Sequence, residues 1–345
     1  MTTTMRSPGL WTLAWRRLCR DRVGIVSLWV VAFYFGVVLM ALGGWLAPDW
    51  TREVGVNYAP PTWWMGAQES EDAPAAPTTA QANVVADLYG LQDPLASEFA
   101  VMQAAYPNEV GLPPEPPRMQ TLPLGGDKWG HDVLTKLIKG SQTSLWVGFV
   151  AALVATALGT LFGAVAGYFG RWVDDAFNWL YGVFTAIPYL LLVFAIAAVL
   201  QQRGVVTIIL ILGLTGWTGV FRLVRAEYLK HKSREYVLAA GAIGASNMRR
   251  MFVHILPNVS HVILVQLSLN VVGFIKSEVI LSFLGFGVPV DVVSWGSMLN
   301  EAQNELILGK WWQLAAAGLA MAVLVTAFSM LTDALRDALD PKLKQ

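Results

Sequence analysis

Two charged side chains, Lys276 and Glu278, stand inside one long apolar run, Val259–Leu284. An ionised group at bilayer depth costs about 3 kcal/mol or more, so such residues serve ion pairs, relays or the path of a solute. At i, i+2 they point to different helix faces and do not pair with each other. One or both is therefore expected to face a translocation path or a partner's charge. The plainer alternative has Lys276 snorkelling to the outer interface. The histidines His131, His231, His254 and His261 are dispersed, and no Cys/His/carboxylate spacing resembles a metal site. There is no GxxxxGK[ST] phosphate loop, so ATP is not bound by such a loop in this chain. Nor is there a nucleophile elbow or an HExxH pair. The chain is read as no enzyme, with no metal or cofactor of its own.

The elements that must position these residues are apolar. Of 345 residues, 55% are hydrophobic and only 14% charged, where a globular domain carries about a quarter charged. Lys+Arg and Asp+Glu balance at 24 each, so charge gives no reason to expect nucleic acid. The single cysteine, Cys19, excludes an internal disulfide. Six stretches are long enough to cross a bilayer as helices: near Gly24–Leu46, Thr143–Tyr168, Phe177–Leu200, Val205–Val224, Val259–Leu284 and Trp311–Thr332. The first has no cleavage site and reads as an uncleaved anchor. The reading is an all-α polytopic membrane protein.

With both termini inside, cytoplasmic Lys and Arg outnumber those outside, as the positive-inside rule asks. The chain then divides into a cytoplasmic N-terminal segment 1–22, a first span 23–47 and an outer insert leading to the second span, 48–140. A core 141–333 carries a cytoplasmic loop 222–258, and a tail 334–345 follows. In Pro8–Arg22, Trp11, Trp15 and Leu18 at i, i+4, i+7 suit a helix lying on the membrane; the plain alternative is a charged flank that fixes topology. The insert is acidic, with an Ala/Pro/Thr-rich stretch at Glu69–Ala80 expected to be mobile. Leu95–Tyr106 is expected to be a short helix and Pro107–Pro123 an extended segment.

Two patterns concern packing. Gly159, Gly163 and Gly167 form a GxxxGxxxG stripe, which reads as a close helix–helix contact. Pro188 is expected to kink the third span. The most informative stretch is the loop Arg222–Pro257, too long and polar for a turn. Glu235–Ser246 reads as a short helix of small residues, with Ala239, Ala240 and Gly244 giving a low face that another surface can approach. Gly244 and Ser246 permit a sharp turn into a second helical piece. His254, Leu256 and Pro257 close the loop, with Pro257 in the first turn of the next helix.

Arg234–Asn258, REYVLAAGAIGASNMRRMFVHILPN, resembles the "EAA" loop of binding-protein-dependent ABC importer permeases. Ala239, Ala240, Gly244, Leu256 and Pro257 fall in register and His254 takes the hydrophobic position. The motif Glu is Leu238 here, and Glu235, one turn earlier, is a possible substitute. Leu122–Leu145, Glu278–Gly287 with Ser294-Trp295-Gly296, and the ending Asp333–Pro341 are similar to the dipeptide/oligopeptide/nickel branch. Their order is like that of its "C"-type peptide permeases.

The resemblance implies a type I ABC importer permease in the bacterial inner membrane, both termini cytoplasmic. It implies three kinds of partner besides the lipid bilayer: a homologous second permease, two ATPase subunits holding ATP and Mg, and an external solute-binding protein. The loop would be the ATPase-coupling site, and peptides would cross by alternating access. A permease for nickel or another chelated metal is an alternative within the same branch. An ion-driven secondary transporter is an alternative outside it.

Overall fold

A computed structural model describes residues 15–64 and 118–339, with Glu98 and Val101 between them. The stretch Glu69–Ala80, most of Leu95–Tyr106 and of Pro107–Pro123, residues 8–14 of the expected surface helix and the tail beyond Leu339 lie outside the described residues. The chain divides into two units, Met1–Trp50 with Leu134–Gln345, and Thr51–Val133.

The first unit is helical: α1 Arg22–Leu42, α2 Val133–Phe169, α3 Arg171–Ala186, α4 Tyr189–Leu200, α5 Val205–Thr215, α6 Thr218–Lys232, α7 Glu235–Ala242, α8 Asn247–Phe283, α9 Trp295–Ile307 and α10 Trp312–Leu339. Among the described residues, five helices are long and apolar enough to cross a membrane (α5 with α6 counted as one), and six if the bent pair α3 and α4 is one span.

Several elements run beyond the apolar stretches that announce them. α2 and α8 are each 37 residues long, because polar turns at their ends continue the same backbone ladder. The third span is not a kinked rod. α3 and α4 meet at 85°. Proline pushes the residue before it out of the helical region, and Ile187 is accordingly extended, φ −101°, ψ 132°, which ends α3. Pro188 then starts α4.

α2 is the central element. A Cβ added at Gly159, Gly163 or Gly167 would lie 2.6, 2.8 and 2.7 Å from the carbonyl oxygens of Trp217, Phe221 and Arg225. Every fourth residue of α2 is thus pressed on the backbone of α6. Beside this seam Trp217 is buried among aromatic rings, with centroids 5.2 Å from Phe162, 5.4 Å from Phe184 and 5.5 Å from Phe221. Arg225 Nε and Nη2 donate to both Asp174 oxygens, at 2.5 and 2.6 Å, fastening α3 to α6. α1 lies along α10: Leu18 is buried with Ala334, Ala338 and Leu339, and Tyr34 donates to the Ala320 carbonyl at 3.0 Å.

The second unit is knitted by isolated bridges, Glu53 to His131, Gly55 to Met119 and Pro61 to Leu122. Its fully buried Asp127 accepts from the backbone N–H groups of Trp129 and His131, at 2.8 and 2.9 Å. Gly130 has φ +81° and rests on the Gly55 carbonyl, where no side chain fits.

The seam gives a first prediction. In Gly163→Val the new side chain meets the Phe221 carbonyl, and overpacking of this kind costs about 1–3 kcal/mol. The thermal midpoint of the purified chain should fall by several degrees. Gly182→Ala, on α3 where an added Cβ meets nothing within 4 Å, should leave it unchanged or raise it.

Candidate functional site

The loop that closes α6 and opens α8 is built by local rules. Arg234 is extended, φ −74°, ψ 144°, and begins α7 with Glu235 in its first turn. α7 ends in a Schellman turn. The Ala245 N–H donates to the Ala240 carbonyl and the Gly244 N–H to the Gly241 carbonyl, both at 3.0 Å. The residue between cap and turn must be left-handed, a conformation glycine adopts without penalty, and Gly244 has φ +86°. Ser246 then caps α8, its hydroxyl accepting from the Arg249 N–H at 3.3 Å.

α8 carries Pro257 in its interior, where the ring collides with the carbonyl four residues back. The helix yields by widening into a π-turn over Arg250–Ile255, the usual way an insertion is absorbed. The Leu256 N–H reaches back to the Met251 carbonyl. The same carbonyl accepts from the buried Tyr228 hydroxyl at 3.1 Å. Asn258 Nδ2 donates to the His254 carbonyl at 2.7 Å. Two carbonyls of the π-turn, those of Met251 and His254, thus accept from side chains.

This region is pinned to the rest of the core. Val237 of α7 and Met251, Ile255 and Val259 of α8 pack with Ala164 and Tyr168 of α2 and with Val220, Val224 and Tyr228 of α6. The Tyr168 hydroxyl donates to Asn247 Oδ1 at 3.1 Å. Arg250 bonds the same oxygen and stands over the Tyr168 ring at 5.7 Å. His231 Nδ1 and the Tyr236 hydroxyl lie 2.8 Å apart. Burial raises the pKa of the Tyr236 phenol, so it stays neutral at physiological pH.

The other side of the loop is bare. Leu238, Ile243 and Met248 are 59%, 88% and 61% exposed. A cluster of large apolar side chains in water marks an interaction surface.

Of the residues singled out from the sequence, Glu235, Ala239, Gly244, Ser246 and Pro257 are exposed, and His254 and Leu256 half-buried. Ala240 does not share the outward face with Ala239 and Gly244: it is buried. Adjacent residues differ by about 100° around a helix, and Ala240 falls one turn from Val237 on the inward stripe. Leu238 and Ile243 stand exposed beside Ala239 and Gly244. The signal for this arrangement was the small helix's own periodicity, with Val237 and Ala240 paired inward.

The two intramembrane charges separate. Glu278 is fully buried, so in this structure it does not face an open path. The Ser282 hydroxyl donates to its Oε1 at 2.7 Å. Ser144 and Ser294 also stand at the carboxyl, although Oε2 has no hydrogen bond of ordinary geometry. The serines come from α2, α8 and the start of α9, so the carboxyl lies where three segments meet. Lys276 is exposed. Two ion pairs were missed because their partners are distant in sequence: Asp174–Arg225, and Lys136–Glu301 at 2.6 Å, where Lys136 is 2% exposed. Gln313 Nε2 donates to the same Glu301 oxygen at 3.1 Å.

Tyr228→Phe removes the donor to the Met251 carbonyl and leaves Tyr228's packing in place. The carbonyl keeps its bond from the Leu256 N–H, so the loss is that of one net hydrogen bond, about 1 kcal/mol. The thermal midpoint should fall by a few degrees, and amide exchange should quicken across the π-turn before it does in α1 or α10.

Residues 159–345 match the family described as binding-protein-dependent transport system inner membrane component. Residues 9–61 match the N-terminal TM domain of oligopeptide transport permease C. The chain is 38% identical to the dipeptide transport system permease protein DppC of Bacillus subtilis over 252 residues, 73% of this chain and 77% of that one. It is 36% identical to the oligopeptide transport system permease protein OppC of the same organism over 222 residues, 64% of this chain and 72% of that one. With the dipeptide permease DppC of Lactococcus lactis subsp. cremoris it shares 28% identity over 329 residues, 95% of this chain and 90% of that one. Among solved structures, a chain of the MetNI methionine ABC transporter in inward-facing conformations is similar at 15% identity and TM-score 0.48, over 59% of this chain and 96% of that one.

Proposed function

This chain belongs to the family of binding-protein-dependent transport system inner membrane components, and we propose that it is one of two permease subunits of an ATP-driven importer of di- or oligopeptides. It is a multi-pass protein of the inner membrane. Both termini lie in the cytoplasm in this reading, with the α7 loop on the same side.

The observation that carries the proposal is the two-sided loop. Its outer face is apolar and bare at Leu238, Ile243 and Met248. Its inner face is packed on α2 and α6. An ATPase subunit docked on the outer face would push against elements that cross the whole membrane. The ATPases would supply nucleotide and Mg, and closure on ATP would move α7 with the first turns of α8. Such coupling works only if the loop binds its partner with different free energy in the two states of the cycle. An external solute-binding protein would deliver the peptide, and a homologous permease would complete the pathway. With Leu238 at the motif's acidic position, docking here rests on apolar burial more than on charge, and Glu235 remains exposed for an ionic contact.

Ile243→Arg tests the docking face. The side chain is 88% exposed, so the fold should tolerate the change. A charge at the centre of an apolar interface costs about 2 kcal/mol or more. ATPase subunits co-purifying from the native membrane should fall at least tenfold (about 1.4 kcal/mol), while the second permease stays. Undiminished recovery of both would refute the assignment of this face.

A further inference from the structure

We infer that one face of α8 forms a wall of the translocation path, and that Lys276 on it is the counter-charge for the terminal carboxylate of a passing peptide. The inference rests on the peptide reading above and adds the residues that meet the substrate. Val262, Gln266, Leu269, Gly273, Lys276 and Ile280 recur at steps of three and four, the spacing of a single helix face. None of the six is buried, and from Val271 to Ser282 Gly273, Lys276 and Ile280 are the positions that are not, the rest of that stretch being buried. A Cβ added at Gly273 would meet nothing within 4 Å. On the opposite side Ser277, Glu278 and Leu281 are buried.

Lipid is a poor cover for this face. Lys276 has no ion pair or hydrogen bond among the described residues, whereas Glu278, two positions on, is surrounded by hydroxyls. About 10 Å of helix separates Lys276 from Phe283, where α8 ends, so its charge starts well inside the span. A lone ammonium at that depth needs water or an anion. The face also continues into an opening. Between α6, α8 and α10 lies a cleft of about 340 Å³ whose polar lining is His261, Gln266 and Arg336. Val262, Gln266 and Leu269 belong to both cleft and stripe.

The mixture suits peptides of varied side chain. Val262, Leu269 and Ile280 offer apolar contact, the Gln266 amide can bond a peptide group, and Gly273 leaves room for main chain beside Lys276. The group every such peptide shares is its terminal carboxylate, which an unpaired ammonium attracts.

The test uses the complete complex, with second permease, ATPases and binding protein, in proteoliposomes. Single cysteines at Gln266, Gly273, Lys276 and the buried control Ile275 are placed in a Cys19→Ser chain. A charged, water-borne thiosulfonate should modify the first three and spare the control. Uptake of dialanine should fall at least fivefold in Lys276→Met and return in Lys276→Arg. The inference is overturned if Lys276→Cys resists the reagent, if Lys276→Met transports at the parental rate, or if substitutions on this face release the second permease, which would make it the seam between permeases. Should the parental complex retain its ATPases but take up no dialanine, the peptide assignment fails instead. Labelling still decides whether the face is wet.

Discussion

The backbone of α2 lies against the backbone of α6, and most of the core depends on that approach. In lipid there is little hydrophobic drive between helices, so association must come from close packing and internal polar bonds. Glycine at every fourth position of α2 provides the first, because no side chain stands between Gly159, Gly163 or Gly167 and the carbonyls of α6. The second follows from the same proximity. With α6 held there, Arg225 reaches Asp174 on α3, and Tyr228 reaches the carbonyl that the π-turn offers. The aromatic cluster around Trp217 fills the space beside the seam.

Through this seam the α7 loop gains leverage. A short helix on a flexible tether would absorb a push. Here α7 shares a core with the last turns of α2 and with Val220, Val224 and Tyr228 of α6, and α8 runs on from the loop without interruption. Pro257 would be a weak point in that rod. The π-turn turns it into a joint whose carbonyls are held by Tyr228 and Asn258. Force applied at Ile243 or Met248 therefore reaches α2, α6 and α8 together.

The polar residues within the spans show two solutions to one cost. Glu278 is enclosed by serines from three segments and serves as mortar between α2, α8 and the start of α9. Lys136 is enclosed likewise, by Glu301 of α9, which Gln313 of α10 also contacts. Lys276 is left outside that mortar. The contrast between two charges two residues apart separates the part of α8 that holds the protein together from the part free to meet something else.

Composition alone makes the chain helical and membrane-crossing, because long apolar runs leave the backbone no other way to satisfy its hydrogen bonds. Residue order set the turn after α7, since only glycine at position 244 takes that conformation cheaply, and the small-residue stripe of α2. It placed the break near Pro188 but not its size, which depends on what α3 packs against. Which way each side chain faces follows from packing between helices. Ala240 and Leu238 sit on the same short helix, yet one is buried and the other bare. Lys276 and Glu278 read as equivalent charges until the serines brought in by α2 and by the segment leading into α9 closed over one of them. Pairs such as Lys136–Glu301 join residues far apart in the chain, and periodicity along one helix carries no information about its partner.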